Sequence, residues 1–282
     1  MIRGHHLVKR YKHILALSDV SIAVGKGEIS GILGPNGAGK TTLFKILCQL
    51  IAPDSGSFQI YSSQKKPIGA IIEKPGFYDY LSAKDNLNVI AKIQGAKVDK
   101  IKIDFLLDTV GLPLDRKDPV RHFSLGMKQR LGIAMALVGD PDGLILDEPF
   151  LGLDPLGMNS LCSLIKDLAL ERKLAILLSS HLLEELSRVC DSLHVINNGK
   201  IIDSGSTKNV LDRVTSQFRV CGSGLHKSQK LAAMDYDFIG DCAVVELSIT
   251  EAPNFLKALV DEGIEITYFG PEKNVNELYK EI

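Results

Sequence analysis

The pattern of apolar and polar residues predicts alternating strands and helices in the first part of the chain. Apolar residues at positions 20, 22 and 24 alternate with polar or small ones, as in a strand with one face in solvent. Residues 29–33 form a continuous apolar run, which is typical of a buried strand. A helix over 40–50 follows, since leucine and isoleucine recur there at helical spacing. Shorter strands are predicted at 57–60 and 68–72.

Helical spacing dominates the middle of the chain. The segment 82–85, Ser-Ala-Lys-Asp, resembles a capping box and opens a helical insert that we predict over about 80–138. Because buried strands and helices alternate after it, we predict an α/β fold with a mostly parallel sheet covered on both faces. The later strands are predicted at 144–146, 175–178 and 193–196, and the later helices near 161–168 and 182–189.

The pattern changes after residue 206. We predict two domains, 1–206 and a small α+β domain over 207–282. The order strand, helix, strand, strand, helix, strand fits a ferredoxin-like sandwich. Its strands are predicted near 218–221, 237–240, 243–247 and 265–269, and its helices near 225–233, 252–260 and 275–282.

Composition excludes several classes of protein. The chain has 282 residues, 45% of them hydrophobic, which excludes disorder and a collagen-like fold. Lys and Arg number 33 against 34 Asp and Glu, so the charge balance argues against a protein that coats nucleic acid. There is no apolar run of the roughly 18–20 residues that a membrane span needs, and no signal-peptide pattern. We therefore expect a cytoplasmic chain without a membrane span.

The cysteines are scattered along the chain. None lies in a C-x-x-C pattern, and no histidine stands at metal-ligand spacing from one. We therefore expect small core residues rather than metal ligands or disulfides. The five are Cys48, Cys162, Cys190, Cys221 and Cys242.

A phosphate-binding loop is predicted where strand 29–33 meets the following helix. The segment matches the pattern G-x-x-x-x-G-K-[ST], in which backbone N–H groups surround phosphate oxygens at a helix N-terminus. The lysine neutralises phosphate charge, and the threonine hydroxyl reaches Mg²⁺. A glycine-rich turn with an incidental lysine is the alternative. The residues are Gly34, Pro35, Asn36, Gly37, Ala38, Gly39, Lys40 and Thr41.

Two acidic residues follow the buried strand at 144–146. Asp147 is a candidate Mg²⁺ ligand, and Glu148 is a candidate general base that activates water. Taken alone, the pair could instead be the N-cap of the next helix. The phosphate loop earlier in the chain favours the nucleotide site.

The order of motifs resembles the ATP-binding cassette of ABC transporters over about residues 4–206. The resemblance implies a P-loop NTPase fold with an antiparallel β subdomain and a helical insert. It also implies that the segment 123–127 is the signature, in which Ser124 and Gly126 contact the γ-phosphate held by the opposite subunit. Leu125 and Met127 depart from the usual Gly and Gln. Helix capping by Ser124 is the simpler alternative.

The same resemblance implies further site residues. Tyr11 would stack on adenine, Thr42 would join the ATP-binding residues, and Asp154 would cross a dimer interface. His181 would contact the γ-phosphate and hold Glu148 with its water. Taken alone, each has a simpler explanation: a surface or core tyrosine, a turn before a helix, or a histidine that happens to follow a strand.

Glu73 stands where the general family places a glutamine that connects Mg²⁺ and water to the membrane-coupling groove. A carboxylate there adds negative charge beside the metal and should strengthen Mg²⁺ binding. An exposed acid at a strand end is the alternative. Together with Pro-Gly-Phe-Tyr at 75–78 and the signature, Glu73 resembles the bacitracin-resistance and lantibiotic-immunity branch.

The resemblance implies an ATP hydrolase subunit that binds ATP and Mg²⁺. It would close as a head-to-tail homodimer and drive a separate membrane permease, from a peripheral position on the inner face of the cell membrane, to export antimicrobial peptide of the bacitracin or lantibiotic type or another amphipathic compound. No nucleic-acid partner is expected. Two alternatives remain: a non-transport cassette ATPase acting on a soluble partner, and a nucleotide-gated regulatory module without useful turnover.

Overall fold

The computed structural model describes residues 1–215, 217–232, 234 and 236–272. Within it the chain divides into two compact units, Met1–Ser204 and a second unit from Gly205 onward. Among the described residues, no helix is both long and apolar enough to cross a bilayer. The functional separation of 1–206 from 207–282 stays a prediction.

The first unit opens with an antiparallel sheet. Its strands are β1 (Ile2–Tyr11), β2 (Ile14–Val24) and β4 (Ser55–Ile60), in the order β2-β1-β4. The predicted alternation in β2 is present, because Val20, Ile22 and Val24 are buried. This sheet is the antiparallel subdomain that the resemblance implies.

A six-stranded sheet forms the centre of the first unit. Its order is β5-β6-β7-β3-β8-β9, and the four pairings from β5 through β6, β7 and β3 to β8 are parallel. The predicted α/β fold with a mostly parallel sheet is confirmed. The strands are β3 (Ile29–Leu33), β5 (Ile68–Ile71), β6 (Gly143–Leu146), β7 (Ala175–Ser180), β8 (Ser192–Asn197) and β9 (Lys200–Ser206).

Helices connect these strands, and three of them form the predicted insert. In the insert, Ser82 accepts a hydrogen bond from the Asp85 N–H and begins a helix, as the capping box predicts. The first helix ends at Leu47 rather than at the predicted residue 50, because Gln49 adopts a left-handed φ of 60°. The helices are α1 (Lys40–Leu47), α2 (Ala83–Gln94), α3 (Lys100–Thr109), α4 (Leu125–Ala136), α5 (Pro155–Arg172) and α6 (Leu183–Ser187).

The second unit has the predicted order of strands and helices from residue 217 to Glu272, but it begins with a helix over Thr207–Val214 that is not among the predicted elements. Its sheet order, β11-β12-β10-β13, is antiparallel throughout, as in a ferredoxin-like sandwich. Phe218, Val220, Phe255 and Leu259 are buried in its core. The predicted helix at 275–282 lies outside the described residues. The elements are α7 (Thr207–Val214), β10 (Gln217–Ser223), α8 (Gln229–Ala232), β11 (Tyr236–Ile239), β12 (Cys242–Glu246), α9 (Ala252–Asp261) and β13 (Glu265–Glu272).

The expectation for the cysteines is wrong for two of the five. Cys221 and Cys242 form a disulfide, because the register of β10 against β12 places them directly opposite each other. Sequence spacing does not reveal this pairing, since it depends on the register of two strands. The other three, Cys48, Cys162 and Cys190, are half-buried or buried, as expected of small core residues.

Removing the disulfide should loosen the second unit. The bond joins residues 21 positions apart, and closing a loop of that length stabilises a fold by about 3 kcal/mol. In Cys221→Ser/Cys242→Ser, amide hydrogen exchange in β10 and β12 should be faster by up to about 100-fold under native conditions. Cys48→Ser, in the first unit, is the control. Equal exchange in the double variant and the parent would show that the bond contributes nothing to this sheet.

Candidate functional site

Four consecutive strands of the central sheet carry the predicted site at their carboxyl ends. Glu73 follows β5, Asp147 and Glu148 follow β6, His181 follows β7, and the phosphate loop follows β3. Because these strands are parallel neighbours, their carboxyl ends lie along one edge of the sheet. Residues far apart in sequence therefore reach one place.

The phosphate loop has the backbone that its glycines predict. Gly39 is the N-cap of α1 with φ 113°, and a Cβ there would lie 2.5 Å from the Ala16 carbonyl oxygen. A Cβ on Gly34 would lie 2.4 Å from the Ile196 carbonyl oxygen. Both positions therefore require glycine. The loop leads directly into the N-terminus of α1, which favours an anion.

Lys40 is the buried cation of the site. Its Nζ donates to the Gly34 carbonyl oxygen at 2.7 Å and to the Pro35 carbonyl oxygen at 3.2 Å. The same Nζ lies 3.2 Å from Glu148 Oε1. The structure therefore joins the phosphate loop to the acid pair through one lysine.

Asp147 accepts a hydrogen bond on each carboxylate oxygen. Thr41 Oγ1 donates to Oδ2 at 2.8 Å, and Ser179 Oγ donates to Oδ1 at 2.6 Å. Asp147 is buried, only 6% exposed. Two predicted Mg²⁺ ligands, the Thr41 hydroxyl and the Asp147 carboxylate, are therefore in direct contact.

Glu148 and His181 also meet. His181 Nδ1 lies 3.0 Å from Glu148 Oε2. Glu148 Oε1 is buried and accepts no hydrogen bond within the described part of the chain, although Lys40 is near. Glu148 therefore has one oxygen beside a histidine and the other in an ion pair with Lys40.

A cavity of about 530 Å³ opens beside these groups. Residues of the phosphate loop, Glu73, Asp147 and Glu148 all line it. On another side it is lined by Ile14, Leu15 and Ala16, from the start of β2. The cavity is therefore polar and charged at the loop and apolar at the antiparallel sheet, a combination that suits a nucleotide.

Glu73 is paired with Lys45, a residue that belongs to none of the predicted motifs. Lys45 Nζ donates to Glu73 Oε1 at 2.9 Å. The hydrogen bond from Lys45 holds the pKa of Glu73 below its usual value, and the same bond raises the pKa of Lys45. Lys45 lies one helical turn after Thr41 on α1, so the pair borders the Mg²⁺ ligands.

The donors present fit Mg²⁺ only in part. Thr41 and Asp147 supply the oxygen ligands that Mg²⁺ prefers, while the remaining positions would belong to phosphate and water. Over the described ranges, no three His, Cys, Asp or Glu side chains gather as a metal cluster. Glu73 faces Lys45 instead of joining Asp147. Its role as a ligand stays a prediction.

Replacing Glu73 by glutamine should raise the Mg²⁺ concentration that gives half-maximal ATP hydrolysis by about threefold to fivefold. The substitution removes one negative charge near the metal, and exposure to solvent keeps the effect small. A Mg²⁺ titration at fixed ATP measures it. Lys45→Met leaves Glu73 charged but unpaired, so its shift should have the opposite sign. Identical curves for all three proteins would contradict this role of Glu73.

Several predicted residues lie outside the cavity lining, Tyr11, Ser124 and Asp154 among them. Tyr11 ends β1, is 43% exposed, and has Lys9 Nζ 5.7 Å from its ring centroid. Ser124 is the N-cap of α4 and accepts from the Met127 N–H at 3.3 Å. Asp154 is the N-cap of α5 and accepts from the Gly157 N–H at 2.7 Å. The capping alternatives are thus present, and the adenine and dimer roles stay predictions.

Gly126 also lies at the start of α4. A Cβ at this position would be 3.8 Å from Leu153, in the segment before Asp154. One at Gly152 would be 3.1 Å from Leu125 Cδ2. The two segments that the resemblance assigns to the dimer interface therefore pack against each other within one chain.

Comparison with known proteins agrees with this geometry. The family model described as ABC transporter matches residues 17–151. The bacitracin transport ATP-binding protein BcrA of Bacillus licheniformis is 44% identical over 211 residues, 72% of this chain and 69% of that protein. The lantibiotic transport ATP-binding protein SrtF of Streptococcus pyogenes is 42% identical over 208 residues, 72% of this chain and 89% of that protein.

A solved structure supports the same assignment. The ATP-binding subunit of an ABC transporter superposes with a TM-score of 0.65 at 30% identity, over 76% of this chain and 92% of that one. The residues matched by the family model, 17–151, include the phosphate loop, the acid pair and the helical insert. The chain belongs to the ATP-binding subunits of ABC transporters, which are ATPases coupled to transport.

Proposed function

We propose that this subunit hydrolyses Mg·ATP in a head-to-tail homodimer and thereby drives a separate membrane permease that exports an antimicrobial peptide of the bacitracin or lantibiotic type. The observation that carries the proposal is the contact of Glu148 with both Lys40 and His181. A base, a phosphate-binding cation and a histidine meet where a phosphate loop begins a helix. A phosphate-binding cation and a residue that positions or deprotonates the attacking water are two of the groups that phosphoryl transfer to water uses.

Each side chain has a separate task in the proposed reaction. Lys40 exchanges its contacts with backbone carbonyls for the β- and γ-phosphates. Once Lys40 has moved to the phosphates, Glu148 Oε1 is released from its ion pair and takes the proton of the attacking water. His181, 3.0 Å from the other oxygen, holds the glutamate and contacts the γ-phosphate.

Thr41 and Asp147 would hold Mg²⁺. The metal supplies charge neutralisation at the β- and γ-phosphate oxygens. Their contact at 2.8 Å supports a shared role. Thr42 and the loop N–H groups from Gly37 to Lys40 would bind the remaining phosphate oxygens.

The second half of the site would come from the partner subunit. Ser124 and Gly126, at the start of α4, would serve the site of the opposite subunit, as the family resemblance implies. There the N-terminus of α4 and the Ser124 hydroxyl would bind the γ-phosphate. Asp154 would lie at the dimer interface. Closure of the dimer around two Mg·ATP would move the segment 73–78 and thereby drive the permease. Hydrolysis would reopen the dimer.

The proposed cargo rests on the relatives. BcrA and SrtF carry bacitracin and lantibiotic transport in their names. Because similar cassettes serve different permeases, the proposed cargo follows from the similarity to these two proteins and not from the cassette fold.

Cells that are sensitive to bacitracin and lantibiotics provide the test. The chain is expressed there together with a candidate permease, chosen as a hydrophobic membrane protein encoded by a neighbouring gene, and the inhibitory peptide concentration is measured. We expect co-purification of the two proteins and a severalfold rise in tolerance, which Glu148→Gln abolishes. Recovery with ribosomes or nucleic acid instead, and no change in tolerance, would favour a non-transport cassette ATPase.

A further inference from the structure

Ser179 lies outside the predicted set of site residues but forms hydrogen bonds with both Asp147 and Glu148. It lies near the carboxyl end of β7, between β6 and β3, and is fully buried. Its hydroxyl donates to Asp147 Oδ1 at 2.6 Å and accepts from the Glu148 N–H at 3.0 Å. One hydroxyl group thus bridges two consecutive residues of the neighbouring strand end.

The first of these bonds fixes the rotation of the Asp147 carboxylate. Oδ1 is held by Ser179 and Oδ2 by Thr41, so the plane of the group is held from both sides. A carboxylate with only one such bond could turn about its χ2 torsion, which is broad for aspartate. Ser179 therefore keeps Oδ2 directed at the hydroxyl of the phosphate-loop threonine.

The second bond acts on an uncommon backbone conformation. Glu148 has φ 48°, in the left-handed region that costs a non-glycine residue free energy. The Ser179 hydroxyl satisfies the N–H of this residue. The conformation directs the Glu148 side chain to Lys40 and His181, so Ser179 supports the arrangement on which the base depends.

We propose that Ser179 is a positioning residue that orients Asp147 for Mg²⁺ and Glu148 for water with a single hydroxyl group. The inference rests on the proposed function of this site as a Mg·ATP hydrolase. In this proposal Ser179 contacts the two acids and not the nucleotide or the metal. It acts through the two acids. Because β7 pairs with β6 and leads into His181, the same strand end positions both the histidine and the two acids that follow β6.

Two effects of removing the hydroxyl oppose each other. Without a donor, Asp147 has a higher charge density, which by itself would strengthen the binding of a cation. Without orientation, the carboxylate presents fewer productive geometries to the metal. Groups that orient a metal ligand typically change metal affinity or activity by about 10-fold to 100-fold when mutated, so we expect orientation to dominate.

The experiment measures Mg²⁺-dependent nucleotide binding in Ser179→Ala. Affinity for mant-AMP-PNP, a fluorescent non-hydrolysable ATP analogue, is determined with EDTA and with saturating Mg²⁺. The parent should gain affinity on adding Mg²⁺, and Ser179→Ala should lose about 10-fold of that gain. Binding in EDTA should stay within about twofold, because Lys40 and the loop are intact. The turnover number should fall by at least about 10-fold while the KM for ATP changes less.

Ser30→Ala is the matched control. Ser30 is also a fully buried serine of the central sheet, and its hydroxyl accepts from Ser192 at 3.1 Å, away from both acids. A similar fall in melting temperature is expected in both variants, but only Ser179→Ala should lose the Mg²⁺-dependent gain. Ser179→Thr keeps a hydroxyl and should restore part of it, whereas Ser179→Cys, a weak donor of nearly the same size, should not.

The outcomes separate the two proposals. If the parent binds Mg·nucleotide but Ser179→Ala keeps the full Mg²⁺-dependent gain, the positioning role is overturned and the proposed function stands. Loss of the gain in Ser30→Ala as well would also overturn it, because any buried hydroxyl would then have the same effect. A parent chain that binds no Mg·nucleotide would overturn the proposed function, and this inference with it.

Discussion

Glu148→Gln is expected to reduce steady-state ATP turnover by about 1,000-fold while leaving ATP binding almost unchanged. The amide keeps the size of the side chain and can still contact His181, which lies 3.0 Å from Oε2, but it cannot accept a proton from water. General base catalysis contributes typically about 10²–10⁴-fold. Phosphate release and equilibrium nucleotide binding measure the two effects separately.

The same variant should accumulate as an ATP-bound dimer, because in the proposed cycle the dimer closes before hydrolysis. Light scattering with Mg·ATP should report twice the subunit mass, and with Mg·ADP the single subunit mass. Glu184→Gln is the control, since Glu184 is an exposed acid on α6. Turnover of Glu148→Gln equal to that of the parent would show that another group is the base.

Lys40→Met is expected to weaken ATP binding itself, by about 100-fold. The side chain is buried, and its ammonium group is the cation that would contact the β- and γ-phosphates. A charge-assisted hydrogen bond contributes about 1.5–3 kcal/mol, and each 1.4 kcal/mol corresponds to a factor of ten in affinity. Methionine keeps the approximate length of the stem without the charge. Fluorescent nucleotide binding without Mg²⁺ gives the affinity directly.

Lys45→Met is the matched control for this substitution. Lys45 lies on the same helix, but its Nζ is paired with Glu73 and not with the phosphate loop. Affinity without Mg²⁺ should change by less than about threefold. Equal losses in both variants would indicate a general effect of charge on α1 and would contradict a specific phosphate contact for Lys40.

The parts of the site that depend on local sequence could be predicted well. A strand, a glycine loop and a helix in succession predict the geometry around Lys40, since the glycines are needed for close backbone approach. Acids at the end of an apolar strand predict the site of Asp147 and Glu148 for a different reason. Neighbouring parallel strands bring their carboxyl ends together.

Contacts between distant segments could not be predicted. Lys45 and Glu73 are 28 positions apart, and Ser179 reaches Asp147 across 32, so both pairs depend on which strands are neighbours. The sequence does contain one usable signal: Ser179 and Ser180 are polar residues at the end of an otherwise apolar buried strand. A buried hydroxyl needs a partner, and the acids after the adjacent strand could supply one.

The disulfide and the proposed dimer site also depend on contacts that the local sequence does not determine. Cys221 and Cys242 pair because two antiparallel strands share a register that no spacing rule gives. Likewise, Ser124 caps its own helix in one chain, and its phosphate role would exist only when a second subunit is present. Local patterns therefore predict the half of the site that one chain builds.

The most direct test of a shared site is a mixture of two inactive variants, Lys40→Met and Ser124→Arg. In a head-to-tail heterodimer, one of the two sites combines the intact Lys40 of one chain with the intact Ser124 of the other. With heterodimer formation verified through two affinity tags, the mixture is predicted to hydrolyse Mg·ATP well above either variant alone. A mixture that forms heterodimers but releases no more phosphate than the separate variants would contradict a site built from two subunits.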